Sequence, residues 1–213
     1  MKKIGIMGGT FNPIHIGHLT LAERAMDDCG LDEIWLIPTG CSYMKQNTNI
    51  LPGEERLTMA KLATEGNHRM KCLDIEVKRA GYTYSYETLE QLVKQYPDYE
   101  FFFIFGADCL FTIENWKFPE RIFDNCTVIA AARNGSSLSG MEDKIKELTA
   151  KFQAKIVLYS FLNLEISSTE LRERIRLGKS VKYLIPDKTL EYIAKHGFYQ
   201  EKRGCNYECK QSD

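Results

Sequence analysis

Short apolar runs of strand length alternate along this chain with longer segments in which apolar residues recur at helical spacing. The run 101–105 is continuously apolar, which is typical of a strand covered on both faces. Repeated strand-then-helix order predicts an α/β protein with a parallel sheet and helices on both faces. We predict strands at 3–7, 33–38, 70–77, 100–105, 127–132 and 155–159, and helices at 17–28, 52–65, 85–95, 141–152, 168–177 and 186–196.

Composition limits the class of protein. The chain has 213 residues, 44% of them hydrophobic, and its 28 basic and 29 acidic side chains give a net charge of −1. Such a chain can bury enough surface to fold as one domain, and its charge argues against a nucleic-acid partner. We expect a domain over 1–199, whose C-terminal helical part spans about 167–199, and a polar tail over 200–213.

Nothing in the sequence suggests a membrane or a secreted protein. No apolar stretch reaches the roughly 18 residues that a membrane span needs, and the N-terminus lacks the apolar core of a signal peptide. We therefore expect a cytoplasmic protein without a membrane partner. The seven cysteines are odd in number, which indicates reduced thiols. For Cys205 and Cys209 in the tail, a disulfide or a metal site stays open as an alternative.

The segment 8–19 joins the first predicted strand to the first predicted helix and reads Gly-Gly-Thr-Phe-Asn-Pro-Ile-His-Ile-Gly-His-Leu. Two glycines allow a ligand to approach the backbone, and a helix N-terminus favours an anion. His15 and His18 are three residues apart, so one helical turn points both side chains the same way. The pattern predicts a phosphate-binding site with two imidazole donors. The alternatives are a glycine turn with incidental histidines and a zinc site, for which no third ligand is visible.

Several segments together resemble one known family. Residues 9–18 resemble the signature of the nucleotidylyltransferase superfamily with the (H/T)xGH motif. The Phe-Gly-Ala-Asp of 105–108, followed by Trp116, and the Ile-Ser-Ser-Thr-Glu-Leu-Arg of 166–172 resemble segments of the nicotinate-nucleotide adenylyltransferases. The residues of 183–186 and 192–199 are similar to that family's C-terminal ending. The resemblance covers about residues 1–199 and implies a Rossmann-like single domain.

Residue roles follow from this resemblance, position by position. It implies catalytic roles for His15, His18, Lys45 and Arg172. It implies binding of nicotinate mononucleotide by Lys45, Ser85 and Trp116, with no protein ligand for a metal. It implies ATP binding by ten residues, which are Gly8, Gly9, Thr10, Phe11, Gly106, Asp108, Arg133, Ser167, Ser168 and Thr169.

Some of these residues have an ordinary structural role as the alternative. Asp108 could be the N-cap of the next helix, and the hydroxyls of 167–169 could be ordinary N-caps. Trp116 could be a packing aromatic residue rather than a platform for the pyridine ring. The loop after the second strand departs from the family pattern: Lys45 is kept, but Ser42, Tyr43 and Met44 replace two prolines and a histidine.

The resemblance implies transfer of the adenylyl group of ATP to nicotinate mononucleotide, which yields deamido-NAD and pyrophosphate. Mg²⁺ is the expected cofactor, held chiefly by triphosphate oxygens and water. The partners are then ATP and nicotinate mononucleotide, and a homo-oligomer is possible. Alternatives are an adenylyltransferase for nicotinamide mononucleotide or another phosphorylated acceptor, and a catalytically inactive nucleotide sensor.

Overall fold

A computed structural model of the chain describes residues 1–42, 50–133, 138–161 and 164–200. The strands are β1 Lys2–Gly9, β2 Glu33–Pro38, β3 Cys41–Ser42, β4 Met70–Cys72, β5 Tyr82–Thr83, β6 Tyr99–Gly106, β7 Thr127–Arg133 and β8 Ile156–Phe161. The helices are α1 Ile16–Asp28, α2 Gly53–Thr64, α3 Ser85–Gln95, α4 Pro119–Asn125, α5 Leu138–Phe152, α6 Ser168–Arg176 and α7 Asp187–His196. Two short 3-10 helices, Ala107–Phe111 and Ile113–Asn115, follow β6.

Six strands form one sheet in the order β4-β2-β1-β6-β7-β8, and β3 pairs with β5 in a small second sheet. The pairs β1–β6, β6–β7 and β7–β8 are parallel. From β1 the chain builds outward through β2 and β4, then returns to the other side of β1 with β6. The strand order therefore reverses between β1 and β6, which is where ligands bind in open α/β sheets. The predicted Rossmann-like α/β class is confirmed.

The middle of the sheet is packed tightly around a strand residue without a side chain. All six residues of β2 are buried. A Cβ atom at Gly5 of β1 would lie 2.3 Å from Cδ1 of Ile34 and 3.0 Å from Cδ1 of Ile104. Because Gly5 has no side chain, Ile34 and Ile104 of the two neighbouring strands occupy the space beside β1 that a side chain would need.

By their contacts, the residues group into two compact units that interleave along the sequence. One unit comprises 1–8, 21–35 and 84–163 and holds most of β1 together with α3 to β8. The other comprises 9–20, 36–83 and 164–213 and holds the segment after β1, α2, the small sheet, α6 and α7. None of the helices in the described part of the chain is long and apolar enough to cross a membrane.

The observed elements differ from the sequence prediction in a few places. The strand predicted at 70–77 is wrong beyond Cys72, because the chain turns there and the Lys78 N–H bonds the Asp74 carbonyl at 2.9 Å. Helix α4 was not predicted, since its seven residues are too few for a periodic pattern. The predicted tail lies outside the described residues except for Gln200, and so do Cys205 and Cys209.

Gly40, just after β2, gives a test of this packing. A Cβ atom there would lie 2.2 Å from the Glu76 carbonyl oxygen and 2.7 Å from Cγ2 of Thr83. Because a main-chain atom cannot swing away, we expect Gly40→Ala to lower the free energy of unfolding by about 2 kcal/mol. Urea unfolding followed by circular dichroism measures this.

The matched control for that substitution is Gly140→Ala. Gly140 lies on an exposed part of α5, and a Cβ atom there meets nothing within 4 Å. Its replacement by alanine is expected to raise stability by about 0.5–1 kcal/mol, because glycine is a poor helix former. Equal effects of the two substitutions would contradict the packing described for Gly40.

Candidate active site

The segment between β1 and α1, residues 10–15, is called the histidine loop here. It belongs to no helix or strand, yet Phe11, Asn12, Ile14 and His15 are at most 5% exposed. Phe11 has a left-handed backbone with φ of 47°, and its ring lies 2.9 Å from where a Cβ atom of Gly9 would be. Gly9 is therefore needed to make room for a side chain of the loop itself, in addition to any ligand.

The two histidines of the motif lie against each other, as their spacing predicts. The ring centroids of His15 and His18 are 3.7 Å apart with the planes tilted by 31°, and the edge of Phe11 meets His18 at 5.1 Å. A Cβ atom at Gly17 would lie 3.1 Å from the His15 ring. Glycine at position 17 thus allows His15 to fold back over the first turn of α1.

The two rings have different hydrogen-bond chemistry. Burial lowers the pKa of His15 to about 4, so His15 is a neutral imidazole at pH 7. Its Nδ1 atom is buried without a hydrogen-bond partner among the described residues. The main-chain N–H of His15 donates to Nδ1 of His18 at 3.3 Å, so a neutral His18 carries its proton on Nε2. His18 can therefore offer an N–H donor at Nε2.

Side chains from distant parts of the sequence hold the carbonyl groups of the histidine loop. Arg56 on α2 donates from Nη1 to the Thr10 carbonyl at 2.7 Å. Arg172 on α6 donates from Nη1 to the Asn12 carbonyl at 2.8 Å. The hydroxyl of Ser168 donates to the Pro13 carbonyl at 2.9 Å. The three contacts join the carbonyl groups of the loop to α2 and α6, so they define the path of the loop.

The side chain of Asn12 connects the loop to two further segments. Its Oδ1 atom accepts the main-chain N–H of Leu51 at 3.2 Å and the hydroxyl of Tyr199 at 2.7 Å. At the end of the loop, the N–H of Ile16 donates to the Leu184 carbonyl at 3.0 Å. The loop is thus attached on one side to the start of α2 and on the other to the C-terminal part of the chain.

The N-terminus of α6 lies beside this loop, and its three hydroxyls have separate tasks. Ser167 caps the helix by accepting the N–H of Glu170 at 3.1 Å, so the alternative of an ordinary N-cap is confirmed for this residue. Ser168 bonds the loop, and Thr169 accepts from Nη2 of Arg172 at 3.1 Å. The structure therefore brings the two predicted motifs, 9–18 and 166–172, together within one compact unit.

Other predicted residues lie in the unit that holds α3 to β8, at the ends of its strands. Met7 of β1 pairs with Ile104 of β6, and Gly8 of β1 and Gly106 of β6 follow this pair at the carboxyl ends of the two strands. Asp108 is exposed in the first turn of a 3-10 helix whose N-cap is Gly106. The alternative that Asp108 is an N-cap is therefore wrong, and its carboxylate faces solvent after the central strand.

The residues predicted to bind the acceptor also lie in this unit. Ser85 is the first residue of α3, whose N-cap Tyr84 makes no side-chain capping bond. Trp116 is half-buried against Phe103 and Phe105, with centroids 6.4 and 6.0 Å away, and its Nε1 is buried without a partner among the described residues. Trp116 is thus a packing residue on one side, and it keeps a donor for which the described residues supply no acceptor.

Two predicted residues have side chains that lie outside the described part of the structure. Lys45 belongs to the segment 43–49, together with Tyr43 and Met44 of the altered loop. Arg133 is the last residue of β7, and only its main chain is described. Both therefore remain predictions.

Three residues that hold the site were not predicted: Arg56, Asn12 and Tyr199. Arg56 is only 3% exposed although it carries a charge, and Leu57, Met59 and Ala60 beside it are buried as well. An arginine within the apolar face of a predicted helix was a signal that could have identified it. For Asn12 and Tyr199 the sequence offers no such signal, because they meet across 187 residues.

Comparison with known proteins identifies the family of this chain. The cytidylyltransferase-like family model matches residues 6–174. A probable nicotinate-nucleotide adenylyltransferase of Lachnoclostridium phytofermentans is 43% identical over 199 residues, covering 93% of this chain and 100% of the relative. One of Clostridium tetani is 38% identical over 200 residues, covering 94% of this chain and 100% of the relative.

Among solved structures, the fold resembles that of Plasmodium falciparum nicotinic acid mononucleotide adenylyltransferase complexed with NaAD. The TM-score is 0.76 at 23% identity, with 93% of this chain and 98% of that chain covered. At this identity the likeness supports the fold alone. The sequence matches carry the assignment further, since they span nearly the whole length of both chains: this chain belongs to the cytidylyltransferase-like family and, within it, to the nicotinate-nucleotide adenylyltransferases.

Proposed function

We propose that this chain transfers the adenylyl group of ATP to nicotinate mononucleotide, with deamido-NAD and pyrophosphate as products. Its relatives at 43% and 38% identity are named for nicotinate nucleotide adenylyl transfer and are matched over their full lengths. The reaction belongs to the biosynthesis of NAD.

One observation within the site carries this proposal. A buried imidazole whose Nδ1 has no partner among the described residues lies against a second ring with a donor at Nε2, beside the N-terminus of α1. Buried polar atoms are nearly always hydrogen-bonded in folded proteins, so such an atom indicates a ligand position. Donors at a helix N-terminus suit the oxygens of a phosphate group. We assign His15 and His18 to the phosphates of ATP.

The chemistry of the reaction fits a site of this kind. A phosphate oxygen of nicotinate mononucleotide attacks the α-phosphorus of ATP, a new P–O bond forms, and the bond to the β-phosphate bridging oxygen breaks as pyrophosphate leaves. The attacking phosphate has a second pKa of about 6 and is mostly a dianion at pH 7, so it needs no general base. Catalysis then consists of positioning two polyanions and stabilising the charge that develops on the transferring group.

The donors of the described residues can perform this task. His18 offers its Nε2–H to a non-bridging oxygen of the α-phosphate, where negative charge grows in the transition state. The N-terminus of α6 and the guanidinium of Arg172 would favour the leaving pyrophosphate. Lys45, predicted from the family motif, would add a further positive charge.

Mg²⁺ is proposed as the ion that accompanies ATP. Among the described residues, no group of three or more His, Cys, Asp and Glu side chains could hold a metal ion. We propose that the ion is held chiefly by triphosphate oxygens and water, as is common for Mg²⁺ in nucleotide enzymes. When bound, it would neutralise part of the triphosphate charge.

For the acceptor, we propose Ser85 and Trp116 as the residues that recognise the nicotinate ring. The N-terminus of α3 at Ser85, where Tyr84 makes no side-chain capping bond, favours a carboxylate over a neutral carboxamide, because a helix N-terminus carries a partial positive charge. Trp116 presents an aromatic ring and an Nε1–H that lacks a partner among the described residues. Together they favour the acid form of the pyridine ring.

The first test is pyrophosphate release by the purified protein with ATP and Mg²⁺. Nicotinate mononucleotide and nicotinamide mononucleotide serve as parallel acceptors. We expect kcat/KM to favour the acid by at least about 10-fold. The amide has no carboxylate for the N-terminus of α3 to bind. Equal use of the two acceptors, or a preference for the amide, would contradict the proposed substrate.

A second test concerns His18. We expect His18→Ala to lower kcat at least about 100-fold, since it removes a donor to the transition state, while ATP binding changes much less. Stopped assays of pyrophosphate release and calorimetry with ATP measure the two effects. His68→Ala, at an exposed histidine, is the control and should match the parent protein. Turnover that survives in His18→Ala would overturn the role of His18, and a parent protein inactive with every acceptor would favour the sensor.

A further inference from the structure

Arg56 is a buried charged residue whose guanidinium group donates hydrogen bonds to three separate segments of the chain. Its side chain is 3% exposed. Nε donates to the Leu51 carbonyl at 2.8 Å, Nη1 to the Thr10 carbonyl at 2.7 Å and Nη2 to the Thr39 carbonyl at 2.6 Å. These carbonyls belong to the approach to α2, the histidine loop and the end of β2. One guanidinium therefore fixes the spacing of three chain segments.

This arrangement depends on the shape of the guanidinium group. Arginine offers five N–H donors in a planar fork, whereas lysine offers three donors from a single nitrogen on a flexible stem. A lysine nitrogen cannot reach three carbonyl oxygens that surround a planar group on different sides. Arg56→Lys would keep the charge and lose the geometry, which separates the two contributions.

Tyr199 makes a second attachment, which joins the histidine loop to the C-terminal part of the chain. Its hydroxyl donates to Oδ1 of Asn12, which also accepts the N–H of Leu51. Burial raises the pKa of Tyr199 above its usual range, although the charges of Arg56 and Arg172 act to lower it. The phenol therefore keeps its proton at pH 7 and remains a donor. Its backbone has φ of 63°, a conformation that costs energy in a residue with a side chain.

We infer that Arg56 and Tyr199 are positioning residues for adenylyl transfer, which hold the histidine loop so that His15 and His18 meet the phosphates of ATP. Neither residue needs to touch the substrate. The inference rests on the proposed function and extends it, because it assigns the alignment of the reacting groups to contacts behind the loop. A misplacement of about 1 Å can cost about 100-fold in rate, so small changes behind the loop have measurable effects.

The loop contacts also connect to the histidine pair. Thr10 and Asn12 lie within five residues of His15, and the N–H of His15 determines which nitrogen of His18 carries the proton. A loop that shifts when a contact is lost would weaken this 3.3 Å bond and allow the other tautomer of His18. The tautomer of His18 is therefore a reporter of loop position that does not depend on turnover.

The test compares Tyr199→Phe with Tyr192→Phe. Each substitution removes one phenolic oxygen, but Tyr192 on α7 bonds the Glu55 carboxylate at 2.6 Å and makes no described contact with the histidine loop. We expect Tyr199→Phe to lower kcat per folded molecule about 10-fold with the KM for ATP changed less than about 3-fold. We expect the ¹⁵N shifts of the His18 ring to move toward a mixture of tautomers. Tyr192→Phe should match the parent protein in both.

A parallel pair of variants tests Arg56. Arg56→Lys is expected to lower kcat about 100-fold and to change the His18 shifts in the same direction. Arg174→Lys is its control, because the half-buried Arg174 of α6 also donates to a carbonyl, that of Ser180, which lies after the helix and away from the histidine loop's own hydrogen bonds. If Arg56→Lys does not fold, Tyr199→Phe decides the question alone, since it leaves the three carbonyl contacts of Arg56 in place.

The outcomes separate this inference from the proposed function. A parent protein that releases no pyrophosphate would overturn the proposed function and the positioning role with it. An active parent protein whose Tyr199→Phe variant behaves like Tyr192→Phe would overturn the positioning role alone. A changed His18 tautomer without loss of kcat would overturn it too, because the loop would then move without consequence for the reaction.

Discussion

The histidine loop must be buried without being a helix or a strand, and the surrounding structure follows from that constraint. Three of its main-chain carbonyls, those of Thr10, Asn12 and Pro13, accept hydrogen bonds from side-chain donors outside the loop. Arg56, Arg172 and Ser168 supply these donors from α2 and α6. We expect a buried loop satisfied in this way to be held in place, which suits the proposed binding of two polyanions.

The same constraint accounts for the protonation of the site. His15 is buried by the loop and is neutral because of that burial, although we propose that the site binds anions. Two imidazolium rings 3.7 Å apart would repel each other, so a neutral His15 beside a donor at His18 is the arrangement the geometry permits. Positive charge is supplied by arginines instead, which keep their proton at every relevant pH.

Motifs made of neighbouring residues could be predicted from the sequence, whereas hydrogen bonds between distant segments could not. The strand-to-helix junction, the two histidines at 15 and 18, and the Ser-Ser-Thr start of α6 are read from neighbouring residues, and the structure agrees with them. Arg56 reaches Thr10 across 46 residues, and Tyr199 reaches Asn12 across 187. No periodicity or spacing reports such pairs, because they are set by how the elements pack.

The central claim is that the protein's own contacts hold the histidine loop before any nucleotide binds, and amide hydrogen exchange in the ligand-free protein tests it most directly. The N–H groups of Ile16, Thr39 and Leu51 bond Leu184, Gly9 and Asn12 around the loop. We expect these three amides to exchange as slowly as those of the core strand β1. Fast exchange that slows only when ATP is added would contradict the claim, because the nucleotide would then order the loop.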